Sequence, residues 1–256
     1  MPNLPLTRFD PTILQAIIFD MDDTLYPECD FVLSGFHAVA DWSVVHLGIP
    51  AEAGYTELKR LFNAGVRGDT FNQWLYHFGI AADKEIIPQL ISVYRDHEPN
   101  IMPFPTVPAL LKTLHARYKL GLLSDGYLEV QQRKFKALNI AAYLDAVVFS
   151  DEWGREAWKP STKPFTAVLE RLGVKASQAV YIADNPKKDF LGANQIGMQT
   201  IWLKRAQGEY AGFTPPTFEH VPQITISSWT ELQGLLPVTA VGIPAKPLKK
   251  TRTRKR

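Results

Sequence analysis

The chain has 256 residues, 46% hydrophobic and 21% charged, which is enough apolar material for one or two packed domains and too much for a chain disordered throughout. The formal charge of +2 hides an asymmetry: residues 246–256 hold seven basic residues and no acid, leaving 21 basic against 26 acidic residues, a charge of −5, on 1–245. A single cysteine, Cys29, excludes an intrachain disulfide and a cysteine-rich zinc site, and reads as a bystander thiol. With no signal-peptide layout at the N-terminus and no stretch near the roughly 20 apolar residues of a membrane span, a soluble, cytoplasmic protein is expected.

In chain order, the first element is the apolar run Ala16-Ile17-Ile18-Phe19, which stops at Asp20. Short continuous apolar runs suit strands buried on both faces, as in a parallel sheet. Pro27 to Pro103 follows, too long for a single crossover. Its periodicity predicts helices over 31–47, 52–62, 71–78 and 86–97, so 27–103 reads as an inserted helical domain. The prolines at 99, 103, 105 and 108 mark a stiff return. Leu120–Leu123 then ends at Ser124-Asp125-Gly126, Ala146–Phe149 is a third strand, and Ala179–Ile182 ends at Ala183-Asp184-Asn185. Helices over 127–138 and 187–196 and a strand over 200–203 complete the pattern. Strands alternating with helices predict βαβ units in a doubly wound sheet. The discontinuous core is expected at 1–26 and 104–236, and a disordered basic tail at 237–256. In such sheets ligands bind beyond the carboxyl ends of the strands, where Asp20, Ser124 and Asp184 would all stand.

Asp20, Asp22 and Asp23 put three carboxylates within four residues at the end of a buried strand, which packing alone does not favour. A divalent cation relieves the repulsion, and Mg²⁺ suits a few carboxylate and carbonyl oxygens with water and substrate phosphate. The order of short motifs resembles the haloacid dehalogenase-like (HAD) hydrolase superfamily: Asp20-x-Asp22-x-Thr24, then Ser124, then Lys159 in Trp158-Lys159-Pro160, then Asp184 through Asp189. The resemblance spans residue 16 to about residue 236. It implies an α/β, Rossmann-like doubly wound parallel sheet with an all-helical cap that closes over the site and selects the substrate.

The same resemblance implies the roles. Asp20 is the nucleophile that forms an aspartyl-phosphate, Asp22 the general acid and then base, and Lys159 the cation that holds Asp20 ionised and offsets transition-state charge. Thr24, Ser124, Asp125, Gly126 and Lys159 form the substrate-binding set, aided by helix-start amides. Asp20, Asp184 and the Asp22 backbone carbonyl are the Mg²⁺ ligands, with Asp189 orienting them from behind. Asp22 favours a phosphate ester over a haloacid, since halide release needs no acid. Asp23 stands where Gly is commoner in the family, and Ala183 where Gly usually precedes the acid.

Arg67, Asp69, Gln73, Trp74 and His77 in the inserted segment could face the phosphate or simply build the cap. Trp153, Gly154, Arg155 and Trp158 could stack on a sugar or base or serve as packing anchors, the reading favoured for two tryptophans beside a sheet. The expectation is a Mg²⁺-dependent phosphomonoesterase acting on a small phosphate ester, with sugar phosphate and nucleoside monophosphate equally ranked. A phosphomutase on a sugar phosphate is the rival enzyme, and a non-catalytic phosphate-binding module the rival outside catalysis. No nucleic-acid partner is expected, apart from nonspecific contact by the basic tail.

Overall fold

All four side chains of β1 (Ala16–Phe19) are buried, as a strand flanked on both sides and covered on both faces requires. The computed structural model describes residues 9–236; the basic tail expected at 237–256 lies outside them. The described residues divide into two compact units, one built from 9–25, 104–126 and 140–236, the other from 26–103 and 127–139.

In the first unit β1 lies between β2 (Lys119–Ser124) and β4 (Ala179–Ala183). β3 (Ala146–Phe149), β5 (Gln199–Leu203) and β6 (Ile224–Ile226) complete a six-stranded sheet in the order β3-β2-β1-β4-β5-β6, with every pairing parallel. This is the Rossmann order, whose switch point falls between β1 and β4, so the Rossmann-like α/β expectation is met.

Alternation along the strands splits their side chains between two layers. Ala16, Ile18, Leu123, Val148 and Tyr181 pack in one core cluster with α7 (Lys163–Leu172) and with Phe190 and Ala193 of α8 (Asp189–Gln195). On the other face Phe19 meets Trp229 of α9 (Trp229–Leu235) edge-on, centroids 5.9 Å apart. β6 and α9 are too short to show a period in the sequence. The spacing Ser228-x-x-Glu231 is nevertheless a helix-start signal, and Ser228 Oγ accepts from the Glu231 N–H at 3.3 Å. Two further helices, α5 (Val107–His115) and α7, are absent from the sequence expectation, although both begin with the Pro-at-N1/N2 signature of a helix start.

The second unit is all-helical: α1 (Glu28–Leu47), α2 (Ala51–Asn63), α3 (Thr70–His77), α4 (Ile86–Asp96) and α6 (Leu128–Leu138). Its core gathers Phe36, Val39, Leu58, Leu61, Trp74, Leu75 and Leu90. α6 differs from expectation, because the sequence pattern groups 127–139 with the sheet. Arg133 explains the difference: its Nη1 donates to Asp96 Oδ1 at 3.1 Å and to the Arg95 carbonyl at 3.2 Å. Lys134 Nζ also lies 4.3 Å from the Phe31 ring centroid.

Candidate active site

The ends of β1 and β4 place two carboxylates side by side. Asp20 continues β1, and its N–H donates to the Ile182 carbonyl at 2.9 Å. Asp184 continues β4, and its carbonyl accepts from Trp202 Nε1 of β5 at 2.7 Å. Lys159 arrives from the loop after β3 with its side chain fully buried. Its Nζ donates to Asp20 Oδ1 at 2.6 Å and to Tyr181 Oη at 2.8 Å, and lies 2.8 Å from Asp189 Oδ1. Asp189 begins α8, and its Oδ2 accepts from the Asn185 N–H at 2.9 Å, closing the loop after β4. This close approach depends on Gly192: a Cβ there would run into the Pro160 carbonyl and stand 3.0 Å from the Ser161 carbonyl.

One oxygen from each of Asp20, Asp184 and Asp189 lies within 4.8 Å of the others. Burial pushes the Asp20 carboxyl up to about 7 against the pull of Lys159. Burial, then Asp189 and Asp20, push Asp184 well above the usual carboxylate range. Burial works against charge on Lys159, but Asp189 and Asp20 outweigh it and hold the ammonium well above its ordinary value. One lysine thus serves several carboxylates, and the buried Asp184 Oδ2 has no hydrogen-bond partner. Hard carboxylate oxygens, an excess of negative charge and an orphaned buried acceptor fit a divalent oxygen-seeking cation.

Asp20, Lys159, Asp184 and Asp189 therefore come together as a group, and Ser124 and Thr24 are buried at the end of β2 and in the β1 loop. Asp189 sits within the carboxylate cluster itself rather than only behind it. Gly126 has φ 133°, which an L side chain rarely adopts. The Asp125 carboxylate is occupied inside the protein: Oδ1 accepts from Ser150 Oγ at 2.6 Å and from the Lys159 N–H at 3.2 Å, and Oδ2 from Lys188 Nζ at 3.2 Å. Its side chain thus holds Lys188 and the Lys159 backbone in place, which leaves the Asp125 backbone amide as the part proposed below to meet substrate. Asp23 has φ 49°, the left-handed region that Asp tolerates better than most residues and Gly best.

Sequence reasoning misses Tyr181, Lys188, Trp202 and Arg205. Tyr181 is hidden as an aromatic in an apolar strand, and Lys188 as one of two adjacent lysines. Trp74 is fully buried in the helical unit and donates from Nε1 to the Gly54 carbonyl at 2.8 Å, so it is a core residue. Arg67 donates to the Phe62 and Val66 carbonyls, Asp69 accepts from Asn72 and Gln73, and His77 lies 3.6 Å from Glu57. Trp153 packs on the sheet core, and Trp158 Nε1 donates to Asp151 at 2.9 Å. These two tryptophans are anchors. No helix among the described residues is long and apolar enough to cross a membrane.

Comparison with known proteins agrees with this geometry. The chain is 31% identical over 228 residues to the glyceraldehyde 3-phosphate phosphatase of Methanopyrus kandleri, covering 86% of this chain and 96% of that protein. It is 30% identical over 135 residues to the pyrimidine 5'-nucleotidase YjjG of Escherichia coli, covering 52% of this chain and 56% of the relative. The crystal structure of a HAD phosphatase from Thermococcus onnurineus superposes with a TM-score of 0.58 at 25% identity, covering 89% of this chain and all of that one. The family model described as haloacid dehalogenase-like hydrolase matches residues 17–203. With the strand order, the buried lysine and the carboxylate cluster all in place, the chain belongs to the haloacid dehalogenase-like hydrolases.

Proposed function

We propose that this hydrolase is a Mg²⁺-dependent phosphomonoesterase of small phosphate esters that works through an aspartyl-phosphate on Asp20. The observation that carries the reading is the 2.6 Å contact between Asp20 Oδ1 and the buried Lys159 Nζ, which turns an ordinary carboxylate into an oriented nucleophile beside a fixed positive charge. Asp20 attacks phosphorus while Asp22 gives its proton to the departing alkoxide. Asp22, now ionised, takes a proton from the water that cleaves the aspartyl-phosphate. Lys159 holds Asp20 in line and stabilises the transferred phosphoryl, which Ser124, Thr24 and the backbone amides at Asp125 and Gly126 receive. Asp20, Asp184 and the Asp22 carbonyl would hold the Mg²⁺, which when bound neutralises the carboxylates and draws charge from the phosphoryl oxygens. A charge of −5 on residues 1–245 does not draw in a phosphate dianion, so recognition is local.

Within the small esters a short sugar phosphate is favoured over a nucleoside monophosphate. The relative named for glyceraldehyde 3-phosphate matches over 96% of its length, whereas the nucleotidase matches over 56%. The test is phosphate release from a panel of triose, sugar and nucleoside monophosphates, with Mg²⁺ and with chelator, together with isolation of phosphate on Asp20. Release that needs Mg²⁺ supports the reading. No release from any ester, or isomerised sugar phosphate without free phosphate, would sink it.

A further inference from the structure

Beyond the end of β5, Arg205 reaches back to the loop that carries Asp22. Its Nη1 donates to the Asp23 carbonyl at 2.5 Å and its Nη2 to the Thr24 carbonyl at 2.8 Å. The guanidinium lies 3.8 Å from the Phe104 ring centroid and 5.6 Å from that of Trp229, so two aromatic faces help hold it in position. Phe104 is tied to the same loop, since its N–H donates to the Leu25 carbonyl at 3.0 Å. On the inner side the Met21 carbonyl accepts from the Leu25 N–H at 2.9 Å and from the Thr24 N–H at 3.3 Å. The loop is therefore closed by its own turn on one side and clamped by a forked cation on the other. Asp23, at φ 49°, lies between these constraints, so loss of the clamp frees the backbone immediately after Asp22.

We infer that Arg205 is a positioning residue for Asp22, holding the 21–25 loop so that the Asp22 carboxyl meets the oxygen leaving phosphorus. This rests on the phosphomonoesterase reading above. In the step concerned the bond from Asp20 to phosphorus forms, the bond from phosphorus to the ester oxygen breaks, and the proton passes from Asp22 to that oxygen.

The experiment compares kcat/KM, which reports on events through the first irreversible step, for two esters. p-Nitrophenyl phosphate expels an anion that needs no proton; the alkyl phosphate turned over fastest by the wild type expels one that does. Arg205→Gln should lose roughly tenfold or more on the alkyl ester beyond its loss on the aryl ester, a part of the full general-acid effect. Asp22→Asn should show the same bias more strongly, and Arg205→Lys, which keeps the charge but not the fork, a weaker one. Arg205→Lys decides the matter if Arg205→Gln does not fold. Equal losses on both esters in the folded Arg205 variants, or no loss, would overturn the inference even if Tm falls. If Asp22→Asn itself shows no bias, Asp22 is not the general acid and the inference is overturned while hydrolysis of phosphate esters stands; if the wild type hydrolyses neither ester, the phosphomonoesterase reading fails and this inference falls with it.

Discussion

Lys159 Nζ stands 2.8 Å from Asp189 Oδ1, both side chains fully buried, so the cation that touches Asp20 is braced by a carboxylate from the first residue of α8. Removing one partner of a buried pair strands the other's charge. Asp189→Ala, assayed with saturating Mg²⁺, should lower unfolding stability by about 3–5 kcal/mol and reduce kcat through a displaced Lys159. Urea denaturation with an unchanged m-value checks the first part. Wild-type stability would show that the pair carries no such weight.

The carboxylate cluster makes a pH prediction with a definite sign. Asp20 lies near 3.8 in the unfolded chain and, through burial, at about 7 in the folded one. The folded state thus binds the extra proton, and in cation-free protein this group's contribution is fully present below about pH 4 and is lost as pH rises through about 7. Asp184, raised by burial and by Asp189, acts in the same direction. Burial pushes Asp125 up, but Lys159 and Lys188 outweigh it, so its smaller contribution is present above the carboxylate range and lost on acidification. On the proposed reading Mg²⁺ binding displaces the protons on the cluster, so the rise in Tm that Mg²⁺ produces should be larger at about pH 8 than at about pH 5. Equal shifts would contradict this account.

Gly192→Ala should destabilise by about 1–3 kcal/mol, the usual range for overpacking, because the new methyl meets the Pro160 carbonyl. Since the displaced segment follows Lys159 directly, kcat should fall as well. A thermal melt and a steady-state assay on the same preparation test both parts.

Trp202→Phe keeps the packing but deletes the donor to the Asp184 carbonyl. A hydrogen bond of this kind contributes about 1 kcal/mol, so Mg²⁺ affinity should drop roughly fivefold with little change in fold. Calorimetric titration of Mg²⁺ reads the effect directly, and unchanged affinity would remove Trp202 from the account.

What the sequence makes legible follows from chemistry that is local in the chain. Ala16–Phe19 ending at Asp20, and Ala179–Ile182 ending near Asp184, announce buried strands with acids at their ends because apolar run and carboxylate are neighbours. Trp202 and Arg205 do not announce themselves: each acts on a carbonyl far away in sequence, and a carbonyl has the same signature at every residue. Asp125 is legible as a strand-end acid but not in its partners, since Ser150 and Lys188 reach it only after folding. α6 reads correctly as an amphipathic helix, yet its grouping with the helical unit depends on Arg133 and Lys134 finding partners near residues 95 and 31. Periodicity reports that a face is buried and is silent about what it is buried against.

The central place of β1 governs when the site can exist during synthesis. The strand carrying Asp20, the proposed nucleophile, is among the first parts of the chain to be made, yet its neighbours on either side are β2 and β4, and the Asp20 N–H is paired to the Ile182 carbonyl. With translation running at about 5–20 residues per second, Asp20 waits on the order of ten seconds or more for that strand to be made. Fragments ending before β4 hold the first motif in full and should be inert. In a growing chain activity should therefore appear late, only once β4 has been made and has docked beside β1.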